Sequence, residues 1–255
     1  IMIGLGLFFA WVSLLKIQRV DGIPYPFGPS QLIDLSFFTT RPALIIASLL
    51  FLGCIFGFII EKYERNTGFL MIAMLAIGEH IGLAQWEGSG GANRALILPA
   101  MGTLAYLLQK IWSERKGLDK ESATAQGIHA ACGIIGAGYT LSAISKLRFS
   151  GLEWLSSTTL ATHITIHSYN GEPWLRAIRL MVADNALLCS FFALGTIILE
   201  GGGILFLLPR LRPILAVGIS LMHISIALFT GLYHFDWMFI AVGFALYPIS
   251  DTSKT

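Results

Sequence analysis

Charge is scarce along this chain: Asp, Glu, Lys and Arg make up 13% of its 255 residues, about half their share in an ordinary soluble domain. With a net formal charge of +2 and no Lys/Arg-rich run interleaved with aromatics, a nucleic-acid-binding surface is excluded. Cysteine is scarcer still. The three present, Cys54, Cys132 and Cys189, are scattered through apolar runs, which excludes a disulfide framework and a zinc site and leaves them as small core residues. No repeat of about 20–50 residues is found, and heptads and low-complexity tracts are also missing.

What fills the sequence instead is apolar. Hydrophobic residues make up 55% of it and the mean hydropathy is +0.72. Apolar runs recur at 1–15, 42–60, 68–86, 95–112, 124–146, 184–207, 213–233 and 235–250, each near the roughly 20 residues that a hydrocarbon core of about 30 Å requires. The expected fold class is therefore all-α: a polytopic integral membrane helical bundle of about seven or eight transmembrane helices, forming a single transmembrane domain over 1–255. The run 1–15 has no basic stretch before it and no small-residue cleavage site after it, so it reads as a first spanning helix rather than a signal peptide. The last two runs form a hairpin turning at Tyr233-His234-Phe235.

Two connections are long. The stretch 16–41 holds Pro24, Pro26 and Pro29 and reads as an ordered surface loop or a short interfacial element. In 147–183, Trp154, Leu160, Ile164, Trp174 and Ile178 alternate with Ser, Thr, His and Arg. That mixture suits an interfacial segment lying flat, with tryptophans at headgroup level, as a lid or shelf beside Lys146. Lys110, Arg115, Lys116, Lys120, Arg210 and Arg212 in short connections place those connections on the cytoplasmic side, while Arg148, Arg176 and Arg179 argue the other way.

The stretch 124–155 organises the rest. Between Thr124 and Leu147 only His129 and Lys146 can carry a charge near neutral pH, and Gly127, Gly133, Gly136 and Gly138 with several alanines permit close helix approach. Ionisable groups at membrane depth cost a few kcal/mol each and need a partner, a cavity or a route to the interface. Those requiring explanation are Glu79, His80, His129, Lys146, Asp184, Glu200 and His223. Lys146 has two readings, an ammonium snorkelling to the headgroups or a lysine in an apolar pocket acting as a base toward a lipid-soluble acid. His163 and His167, four apart, share a face; they serve as a ligand pair or as interfacial histidines, and no third ligand completes a metal set. Glu200 precedes Gly201-Gly202-Gly203, a helix break that marks either a site or a tight crossing. His223 faces the bundle from mid-span.

Three stretches together resemble the HTTM and vitamin K-dependent gamma-carboxylase superfamily: YTLSAISKLRFSGLEWLSSTTL at 139–160, GTIILEGGGILFLLPRLRPI at 195–214 and GISLMHISIALFTGLYHFDWMFIAVGFALY at 218–247. The family pattern favours Ala-Gly where Ser142-Ala143 stand, and the sequence carries no large soluble domain after these helices. The resemblance implies a polytopic helical domain in which Lys146 is the catalytic base. His223 corresponds to the family's membrane histidine and Glu200 to the glutamate of the helix break. It implies a quinone or other lipid as ligand, lined by Tyr139, Trp154, His163, His167, Glu200 and His223, rather than carboxylation of a protein. A second, looser similarity, to small quinone-associated membrane proteins of the DoxX type, points the same way.

The expected function is thus an HTTM-type protein binding a quinone or lipid near Lys146, with membrane lipids as partners, no metal and no nucleic acid, in a multi-pass prokaryotic inner-membrane setting. The rival is a non-catalytic accessory subunit packed against a larger respiratory or photosynthetic membrane complex. A transporter has less behind it, since no matching pair of broken helices occurs in two halves.

Overall fold

A computed structural model describes residues 1–17, 31–32, 35–60, 62–85, 97–169, 172–232 and 234–247. The prolines at 24, 26 and 29, Trp86 and Tyr233 lie outside them. The described residues are almost wholly helical and contain no strand. In chain order the α-helices are α1 (Met2–Ile17), α2 (Arg41–Ile59), α3 (Glu64–Gln85), α4 (Ile97–Arg115), α5 (Lys120–Ser150), α6 (Ser157–Ser168), α7 (Pro173–Ala183), α8 (Ala186–Gly201), α9 (Arg212–Thr230) and α10 (Phe235–Ala245). Short 3₁₀ turns occupy Ser36–Thr39, Gly151–Leu155, Gly202–Leu207 and Pro209–Leu211.

The chain is a helical membrane protein. Four stretches are long and apolar enough to cross a bilayer, Arg41–Ile59, Lys120–Leu155, Ala186–Leu207 and Pro209–Thr230, while Met2–Leu15 and Phe235–Ala245 are apolar but shorter. On α8 the exposed side chains Leu187, Phe191, Leu194 and Ile198 recur at helical spacing, which is the stripe that lipid solvates. In the region 147–183, read above as a long connection carrying an interfacial segment, the described residues are mostly helical. Leu147–Ser150 complete α5, then come a 3₁₀ turn, α6 and α7, whose Ile164 and Val182 close a small second core with Cys189 of α8.

At 31 residues, α5 is about 46 Å long at 1.5 Å per residue. It packs against α4, against α8 with the 3₁₀ segment after it, and against α10. Asp119 starts it as N-cap, its carboxylate accepting from the backbone N–H groups of Glu121 and Ser122, both at 3.0 Å. Gly151, at φ +56°, ends it in a conformation that L side chains rarely adopt.

Glycine sets the spacing of the crossings. A Cβ on Gly127 would lie 2.7 Å from the Tyr106 carbonyl of α4, and one on Gly6 of α1 would lie 2.8 Å from the Ile240 nitrogen of α10. At the helix break a Cβ on Gly203 would lie 2.6 Å from the Gly136 carbonyl and 2.7 Å from Cβ of Tyr139. Backbones approach this closely only where side chains are missing. With Leu207 against Gly133 and Arg212 bonded to His129 at 2.9 Å, the α8 segment runs antiparallel along α5 from Lys146 to His129.

Two residues counted among the short-connection charges are not at a surface. Lys110 is buried on Glu64 and Tyr106, and Arg212 is buried with its Nε donating to the Phe206 carbonyl at 2.8 Å.

Candidate functional site

The antiparallel run of α8 beside α5 places Glu200 against Lys146. The Lys146 ammonium donates to both Glu200 oxygens, Oε1 at 2.6 Å and Oε2 at 2.5 Å, and to Ser142 Oγ at 2.9 Å. Ser142 lies four residues earlier on the same face of α5. The left-handed Gly151 turns the chain so that Trp154 comes back over the lysine, with Nζ 5.4 Å from the ring centroid. Glu200 is 6% exposed and the Lys146 side chain 21%. The ammonium therefore turns inward to a carboxylate instead of snorkelling outward.

The broken helix that holds Glu200 is chemically closed. After Gly201 the i→i−4 ladder stops, and lipid offers no replacement partner for the freed backbone groups. Thr140 on α5 supplies one: its Oγ1 accepts from the Ile204 N–H at 2.9 Å. The Gly201-Gly202-Gly203 break is thus a tight crossing that also fixes where Glu200 stands.

Two turns before Lys146, Tyr139 forms a second buried pair. Its hydroxyl is 2.8 Å from Nε2 of His223 on α9, and its ring meets Trp237 of α10 edge-on at 5.4 Å between centroids. The rings of His223 and His234 lie 6.3 Å apart. The two pairs are near enough for their charges to be felt, Lys146 at His223 and His234, and Glu200 and Asp236 at Tyr139.

The residues expected at the site separate into groups. Lys146, Glu200 and Trp154 meet, and His163 joins their edge through a tilted ring contact with Trp154 at 5.8 Å. Tyr139 and His223 form the deeper pair. His167 stands apart; its backbone carbonyl accepts from Arg179 Nη1 at 3.1 Å. Among the described residues no three of His, Cys, Asp and Glu gather closely enough to hold a metal ion.

Sequence reasoning did not single out Ser142, Thr140, His234 or Asp236. Asp236 had a signal, a lone carboxylate opening the apolar run FDWMFIAVGFALY that the cost of membrane-depth charge should have flagged. Ser142 and Thr140 had none, since serine and threonine are common in membrane helices and only partner geometry distinguishes these two.

The arrangement offers two proton-bearing pairs. In an apolar surrounding an ammonium and a carboxylate in contact exchange a proton at little cost, because the neutral pair escapes the desolvation of two ions. A Tyr–His pair passes a proton by changing tautomer. No known protein family model, curated protein or solved structure matches this chain.

Proposed function

We propose that this protein is an HTTM-type, multi-pass inner-membrane protein of a prokaryote that binds the polar head of a quinone or similar lipid at the Lys146–Glu200 pair, with Lys146 as the base. The observation that carries this reading is the lysine itself, held between a buried carboxylate, a serine hydroxyl and a tryptophan face on a helix long and apolar enough to cross a membrane. A lysine needed only to anchor a helix end gains nothing from a buried carboxylate, whereas a base must be able to lose its charge. Glu200 supplies the means: a proton moved from Nζ to the carboxylate leaves a neutral amine facing the ligand hydroxyl, and that amine then takes the ligand's proton. The Trp154 ring stacks on a flat head group and keeps water from the pair.

The test is to purify the protein gently from its native membrane, identify co-purifying proteins and extract bound lipids for quinone analysis. The expected result is a quinone at near-equal stoichiometry that is lost in Lys146→Met and in Glu200→Leu while both variants remain extractable and folded. Stable partner subunits without any enriched quinone would overturn this reading in favour of an accessory subunit.

A further inference from the structure

We propose that Asp236 is a second proton-exchanging group of this site, reached from Tyr139 through His223, so that the site handles two protons. This deepens the reading of Lys146 as a base and rests on it. Asp236 opens α10 and is 1% exposed; its Oδ2 has no hydrogen-bond partner among the described residues. His223 on the adjoining α9 is 4% exposed, and its Nδ1 likewise has none. A buried ring nitrogen and a buried carboxylate oxygen, on two helices packed together and both without a partner, call for an explanation. A water bridging the two atoms would satisfy both and join them into a proton path.

The geometry on the other side of the ring completes the path. The Tyr139 hydroxyl and Nε2 are 2.8 Å apart; in the tautomer this relay uses, Tyr139 donates and neutral His223 carries its proton on Nδ1. A ligand hydroxyl beside Tyr139 then gives its proton to the phenolic oxygen as Tyr139 passes its own to Nε2. The Nδ1 proton moves to the Asp236 carboxylate across a bridging water. One O–H bond breaks on the ligand and one forms on Asp236, while Tyr139 and His223 stay neutral and His223 changes tautomer. The Lys146–Glu200 pair takes the other proton. A lipidic ligand with two ionisable hydroxyls, the reduced form of a quinone, is the chemical class that two separate acceptors fit.

The charged and titratable groups around Tyr139, His223 and Asp236 are few. Tyr139 and Lys146 come from α5, Glu200 from α8, His223 from α9, and His234 from the turn before α10. On α1, which packs on Asp236 through Gly6, residues 2–15 bring none, and Tyr106 of α4 meets α10 at its other end, beside Phe244.

Difference infrared spectroscopy on the full chain in lipid nanodiscs, titrated with acid in H₂O and in D₂O with no quinone added, tests the proposal separately from quinone binding. Among the buried protonated-carboxyl bands, one should be removed by Glu200→Gln and another by Asp236→Asn. His223→Phe should keep the Asp236 band but slow its deuterium exchange by about a hundredfold, the lower end of what a positioned proton-transfer group contributes. If Asp236→Asn does not fold, Asp236→Glu must shift the band and leave it titrating. A carboxyl spectrum unchanged by substitution at 236, or exchange that His223→Phe leaves as fast as before, overturns the relay whatever the quinone analysis gives. A relay confirmed without any quinone in the native extract would instead leave the ligand assignment at fault.

Discussion

Lys146 and Glu200 are 54 residues apart in sequence, yet the ammonium lies 2.5 and 2.6 Å from the two carboxylate oxygens. A pair this enclosed behaves as a unit, and the two ways of dismantling it differ. Removing the lysine alone strands a buried carboxylate, whereas removing both leaves an apolar contact.

Lys146→Met should therefore destabilise the protein by about 3 kcal/mol, the low end for breaking a buried pair, because the lysine is a fifth exposed. The double variant Lys146→Met/Glu200→Leu should recover much of that loss. Thermal unfolding in one detergent across the double-mutant cycle checks this, and additive losses would mean that the contact carries no coupling energy.

At the crossing of α5 with the segment after α8, Gly136→Ala should cost about 1–3 kcal/mol, because the added methyl meets the Gly203 backbone and neither chain can yield alone. Gly202→Ala is the control. A Cβ there finds nothing closer than Leu205 Cδ1 at 3.9 Å, so its melting temperature should stay near that of the wild type.

Thr140→Val keeps the shape of the side chain but deletes the acceptor for the Ile204 N–H. An amide left unpaired next to lipid costs about 1–3 kcal/mol, and the segment after Gly201 should open. Amide exchange at Ile204 and its neighbours should rise in Thr140→Val and stay low in Thr140→Ser.

Asp119 gives a pH dependence outside the membrane. Hydrogen bonds from the Ser122 backbone, the Ser122 hydroxyl and the Glu121 N–H hold its carboxyl below the usual range. A carboxylate whose folded value is depressed stabilises fully above its unfolded value and loses that contribution as pH falls through the folded one. Protection of the first turn of α5 should fade in that acid window, and Asp119→Asn, which still caps, should remove the pH dependence. A wild-type profile that stays flat there would rule out the carboxylate as the cap that matters.

Much of the framework was legible from one-dimensional signals. Apolar run lengths located the helices, because the bilayer fixes how many apolar residues a crossing takes. The glycines of 201–203 announced the break, since three in succession cannot hold a helix without outside partners. The region 147–183 was harder to read: its mixed polar and apolar composition resembles an interfacial loop, and only the shared core of Ile164, Val182 and Cys189 reveals that α6 and α7 are packed helices.

By itself, the sequence determined that the chain is all-α, that it belongs in a membrane, and that Lys146, Glu200 and His223 are too costly at depth to stand alone. Tertiary structure alone decided the partners: Lys146 with Glu200, Tyr139 with His223 across 84 residues, and Thr140 with the freed Ile204 N–H. The physical reason is that hydropathy and glycine content are local properties. Which side chains meet depends instead on how far each helix is turned and slid against its neighbour. Here that register is set by backbone contacts such as Gly136 on Gly203, which exist only once both segments are in place.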